Sequence, residues 1–204
     1  MKQNVQYRTG FTLIELLLAL IVTGIILAAV TTLAFAVGVA NDTTDDTIQK
    51  QAQVRYATLR ISDLIRRCKL ICGTPNGDLA LWRADNNADG QININELVYI
   101  ERGVGNDYLR LCEFPSSDTS IVNLSDIQTL STGTYSVTYV PLVPECSNVE
   151  FSLDSAPPYS RFVSISFDLL ENGFSRQSQI NAALSGWAGN LLDAGGNNIV
   201  SDDD

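Results

Sequence analysis

The sequence contains no histidine, which excludes a Ser-His-Asp triad, a Cys-His pair and an imidazole-ligated zinc site. Positive charge is scarce. Thirteen Lys and Arg stand against 23 Asp and Glu, giving 13 − 23 = −10 over 204 residues. That balance repels phosphate backbones, so no nucleic-acid partner is expected. Only 18% of residues are charged and 45% are hydrophobic, too apolar a composition for a chain disordered throughout. There is no nucleophile elbow, phosphate-binding loop or dinucleotide fingerprint. No catalytic residue is assigned, and the chain is not expected to be an enzyme. Trp82 and Trp187 read as core aromatics rather than as a sugar platform. The length suits one sizeable domain with an accessory element.

The accessory element is at the start. Residues 11–40 carry a single charge, Glu15. As a helix the charge-free residues 16–40 measure roughly 37 Å, enough to cross a ~30 Å hydrocarbon core. Gly24, Gly38, Thr23, Thr31 and Thr32 are tolerated inside such spans, the threonines satisfying their own hydroxyls. Lys2 and Arg8 precede the segment, and Asp42, Asp45 and Asp46 follow it. The positive-inside bias therefore leaves Met1 in the cytoplasm and sends everything after Ala40 across the membrane. A secretory signal peptide fits poorly, because its apolar run is about 7–15 residues. Glu15 then needs an explanation, since a carboxylate in lipid costs about 2.5–3.5 kcal/mol on insertion scales.

Gly10-Phe11-Thr12-Leu13-Ile14-Glu15-Leu16, behind a short leader with Lys2 and Arg8, resembles the class III signal of type IV pilins and type II secretion pseudopilins. The resemblance implies cleavage between Gly10 and Phe11 by a prepilin peptidase, then N-methylation of Phe11. It implies assembly on an inner-membrane platform, with other pilins or pseudopilins as partners through the N-terminal helix. Before assembly the partner is the lipid bilayer. In that setting Glu15 of one subunit neutralises the Phe11 amine of a neighbour as helices stack, which links charge compensation to assembly.

The resemblance also implies an α+β fold, with one long helix whose second half packs on an antiparallel sheet. The residues agree. Between 41 and 72 the pattern turns amphipathic: Ile48, Ala52, Tyr56, Leu59, Ile61, Leu64, Ile65, Cys68, Ile71 and Cys72 keep helical spacing. Gly73-Thr74-Pro75 stops it. Strands are predicted at 79–82, 97–100, 108–112, 135–140, 149–153, 162–169 and 174–180, with Glu171-Asn172-Gly173 as a hairpin turn. The expected organisation is a leader at 1–10, a membrane or filament-core helix at 11–40, its amphipathic continuation at 41–72, a β-rich unit at 73–190 and an acidic tail at 191–204. Leu59-Arg60-Ile61-Ser62-Asp63-Leu64-Ile65-Arg66-Arg67 resembles the region after the span in J-type minor pseudopilins of type II secretion. That points to a structural tip subunit of a secretion filament. A minor type IV pilin or DNA-uptake subunit is the alternative, and a single-pass anchored calcium-binding protein outside any filament is a second.

Asp85-Asn86-Asn87-Ala88-Asp89-Gly90-Gln91-Ile92-Asn93-Ile94-Asn95-Glu96 matches the calcium loop D-x-[DN]-x-[DN]-G-x₅-E. Asp85, Asn87 and Asp89 offer side-chain oxygens and Gln91 its carbonyl. Asn93 holds a bridging water, and Glu96 closes the site with two oxygens. The flanks read as strands and only one such loop occurs, so calcium is expected as a structural clamp inserted in the fold. An Asn/Asp/Gly-rich hairpin connection is the plain alternative.

Cys68, Cys72, Cys112 and Cys146 all follow the apolar segment, which suits an oxidising compartment. Cys68 and Cys72, four apart on one helix face, are poorly placed to bridge each other. Each is expected to bond one of Cys112 and Cys146, with free buried thiols as the alternative. The spacing is a poor zinc pattern.

Overall fold

The computed structural model describes residues 10–186, 191–193 and 198–200. Residues 1–9 of the leader, Trp187 and the aspartates at 202–204 lie outside the described residues. Two compact units are present, Met1–Asp46 and Thr47–Asp204.

Among its described residues the first unit is helix from Leu13 onward. A single helix, α1, is assigned over Leu13–Arg67, and its early turns are long and apolar enough to cross a membrane. Leu, Ile, Ala and Val dominate these turns and proline is absent, as an uninterrupted helix requires. Thr23, Thr31 and Thr32 donate their hydroxyls to the carbonyls of Ala19, Leu27 and Ala28 at 2.7, 2.9 and 2.8 Å. The apolar side chains from Phe11 to Val39 are exposed, a surface that water does not favour.

The second unit begins with the later turns of α1. Arg66 and Arg67 occupy its last turn, where cations complement the partial negative charge of the helix end. Here the structure corrects the expected continuation to residue 72. Leu70–Gly73 is a fully buried strand, β1, paired with β2, Leu79–Trp82. Cys68, Ile71 and Cys72 satisfy helical spacing, but Leu70-Ile71-Cys72 is equally a continuous apolar run. Strand pairing buries both of its faces, which a surface helix cannot do. Three more antiparallel strands follow in order: β3 (Leu97–Arg102), β4 (Leu109–Glu113) and β5 (Thr138–Val143). A second antiparallel sheet holds β6 (Ser147–Leu153), β7 (Phe162–Glu171) and β8 (Phe174–Ala183).

Two cores result. One lies between α1 and both sheets: Ala57, Ile61 and Ile65 of the helix meet Leu81, Val98, Ile100 and Leu111, with Ile165 and Phe167 from the second sheet. Val163, Ile165, Phe167 and Leu169 alternate inward along β7, as its sequence pattern predicts. The other core covers the opposite face of the five-stranded sheet, where Trp82, Leu97, Tyr99 and Cys112 pack against Ile92, Ile94, Phe114, Val122, Leu124 and Ile127. Leu191 and Leu192 are buried in it, and the Val200 N–H donates to the Leu191 carbonyl at 2.8 Å. The segment read as a tail from residue 191 therefore starts inside the fold.

Candidate functional site

At the first candidate site Gly10 and Phe11 precede the helix, and both are exposed. Thr12 sits just before the first helical residue. Its N–H and its hydroxyl both donate to Glu15 Oε2 at 2.9 Å, and the Glu15 N–H returns to Thr12 Oγ1 at 3.4 Å. This reciprocal pair is a capping box: it satisfies two donors that a helix start leaves open. Glu15 thus has a task inside its own chain, fixing where the helix begins two residues after the Gly10–Phe11 bond. The sequence reading missed Thr12, although Thr-x-x-Glu ahead of an apolar run was its visible signal.

Residues 6–31 match a family model. Its description is the prokaryotic N-terminal methylation motif. The chain therefore has a prepilin-type N-terminus, and its single apolar helix fits a single-pass membrane-anchored protein. Together with a long helix followed by antiparallel sheets, that makes the chain type IV pilin-like in layout. No curated protein and no solved structure matches the chain.

At the second candidate site, residues 85–96 fold back on themselves. Asp85 Oδ2 accepts the Gly90 N–H at 2.9 Å, and Asn87 Oδ1 accepts the Asp89 N–H at 3.1 Å. Asp89 Oδ1 accepts the Gln91 N–H at 2.8 Å, while its Oδ2 accepts the side-chain amides of Asn87 and Asn93 at 2.8 and 3.2 Å. These donors, Asn93 first, hold the Asp89 carboxyl below the usual carboxylate range. Gly90 takes φ 68°, the left-handed turn that the motif reserves for glycine.

Glu96 is placed differently from the expectation. It is 1% exposed, and its Oε2 accepts the Trp82 indole N–H at 3.0 Å and the Asn93 N–H at 3.3 Å. Its Oε1 accepts the Asn86 N–H at 2.6 Å. Glu96 therefore ties the base of the loop to the second core. Among the described residues no three His, Cys, Asp or Glu side chains gather as a preformed metal cluster. The donor set of Asp85, Asn87, Asp89 and Glu96 is nevertheless all hard oxygen, the chemistry that suits calcium and not a soft metal.

The disulfide expectation is corrected: Cys68, Cys72, Cys112 and Cys146 are free thiols. Cys68 and Cys146 belong to the helix-side core, Cys72 and Cys112 to the other, so the two cross pairs are separated by the sheet. Within the second core, Gly73 faces Ala80, Ala80 faces Tyr99 and Tyr99 faces Cys112. Three strand spacings, about 14 Å, separate β1 from β4, twice the reach of a disulfide. Cys146 lines a cavity with Lys50, and Cys68 lies eighteen residues further along, about 27 Å at helical rise.

Proposed function

We propose that this chain is a minor pseudopilin of a type II secretion-type filament. It would be held in the inner membrane by residues 11–40 before assembly, with Thr47–Asp204 on the far side. The observation that carries the reading is Gly10-Phe11 followed by a carboxylate at Glu15, on the first turn of a helix whose residues 16–40 carry no charge. Prepilin peptidase cleavage exposes a cationic Phe11 amine beside lipid. Thr12 takes up Glu15 Oε2, and Glu15 Oε1 is then the oxygen offered to the amine of a neighbouring subunit. Desolvating two opposite charges is tolerated only where they meet, so assembly and compensation are coupled. The likeness of residues 59–67 to J-type minor pseudopilins supports a place at the filament tip.

Calcium is part of the same proposal. Asp85, Asn87, Asp89, Asn93 and Glu96, with the Gln91 carbonyl, would hold it, and it would supply rigidity to the loop above the second core. The protein's own residues already close the loop, through hydrogen bonds from Gly90, Gln91 and Asn86.

The assembly claim is tested by competition in cells. Wild-type and Glu15→Leu chains are co-expressed at equal level and sheared filaments are quantified by mass spectrometry. The variant is expected to be at least ten-fold depleted from filaments while remaining processed and membrane-bound. Equal incorporation contradicts the coupling.

A further inference from the structure

The β7–β8 hairpin ends in a tip that carries apolar side chains to the surface. Leu170 is 62% exposed and Phe174 74% exposed. Leu170 lies opposite Ser175, and Phe174 opposite buried Glu171. The two side chains therefore project from opposite faces of the tip, on either side of the Asn172-Gly173 turn, in which Asn172 has φ 52° and Gly173 φ 82°. The tip is pinned to α1. The Asn172 side-chain amide donates to the Thr47 hydroxyl at 2.9 Å, and the Lys50 ammonium donates to the Leu170 carbonyl. Ile48, between these two anchors in sequence, is itself 59% exposed.

Thr47 is seven residues beyond Ala40, the last residue of the apolar segment. Seven residues measure about 10 Å at helical rise and at most about 25 Å fully extended. Headgroup regions add about 5–7 Å on each side of the hydrocarbon core. Residues 16–40, at roughly 37 Å as a helix, exceed that core by about 7 Å. That slack, or a tilt of the helix, brings the first residues after Ala40 to the headgroups.

We propose that the β7–β8 tip, through Leu170 and Phe174, and with the exposed Ile48 of the helical turn that anchors it, seats on the lipid headgroup region of the membrane that residues 11–40 anchor. The inference rests on the membrane-anchored reading. An amphipathic surface held beside a bilayer by its own tether gains from shallow burial of such side chains, and at this short tether length the local concentration of lipid surface is high. Asp45 and Asp46 in the tether oppose anionic lipid, so the contact is apolar rather than a charge-driven one and does not need anionic headgroups. The seat orients the subunit before it leaves the bilayer for the filament.

The test uses the full chain with Phe174→Trp, reconstituted in phosphatidylcholine vesicles with or without lipids brominated near the headgroup. The Phe174→Trp increment over the parent fluorescence is expected to be quenched by at least a third. A Tyr159→Trp increment, from the connection before β7 at the other end of a ten-residue strand, is expected to be unchanged. Vesicle flotation is read on the same samples. Failure to float overturns the membrane anchor, whereas flotation without quenching at position 174 overturns the seat alone. Phe174→Asp supplies a second readout: it is expected to leave flotation unchanged while exposing the tip to protease, and unaltered cleavage counts against the proposal.

Discussion

Burial, more than any neighbouring charge, governs the thiols and one carboxyl. It pushes Cys68 and Cys112 up to about 12 and half-buried Cys146 up to about 11, and it raises Cys72 as well. Thiols so held are slow nucleophiles. Iodoacetamide on the native protein should therefore label Cys146 first, and unfolding without reductant should yield four adducts by mass. Two adducts or none after unfolding would restore a disulfide. At Asp78 burial is again the leading cause, aided by Glu101 and opposed by Arg102 and Arg110, and the carboxyl is pushed up to about 6. A raised carboxyl means that the folded state holds its proton where the unfolded chain, near 3.9, has lost it. Stability from this group therefore falls as pH rises from about 4 to about 6 and stays low above. Asp78→Asn keeps an acceptor for the Arg102 N–H, bonded at 3.0 Å. It should raise the urea midpoint at pH 7 and flatten its slope between pH 4 and 6. An unchanged slope would show that Asp78 ionises as it does in the unfolded chain.

The loop from Asp85 to Glu96 is the element on which the metal proposal turns. Millimolar calcium should raise the melting temperature, and Asp89→Asn should abolish the rise, read against the variant's own metal-free melt, which is lowered because the carboxylate that accepts from Gln91, Asn87 and Asn93 is lost. Identical melts in calcium and in chelator would reduce the loop to a hydrogen-bonded connection. Glu96→Gln is a different experiment: it places an amide N–H₂ among the donors of Trp82, Asn86 and Asn93 and should cost about 1–3 kcal/mol with or without metal. How legible each element was depends on how local its cause is. The sequence predicted Leu79–Trp82 with its observed bounds and the alternation along β7, since both follow from residues side by side. The end of α1 at Arg67 was not legible, because Cys68, Ile71 and Cys72 fit helix and strand alike until β2 is there to pair. The burial of Glu96 depends on Trp82, fourteen positions earlier, and that of Leu191 and Leu192 on a core built from five other segments. No local period records such contacts.

At the scale of the molecule the two units answer to different solvents. The first shows unrelieved apolar surface and finds its satisfaction in lipid or in other helices. The second closes two cores of its own and carries the loop and hairpin that face outward. What joins them functionally is the start of the chain, where a leader, a Gly-Phe bond and a capped carboxylate coincide. The mass of the mature N-terminal peptide tests this most directly. Loss of Met1–Gly10 with a methyl group on the Phe11 amine is the expected result; an intact Met1, or cleavage beyond Phe11, would contradict the account.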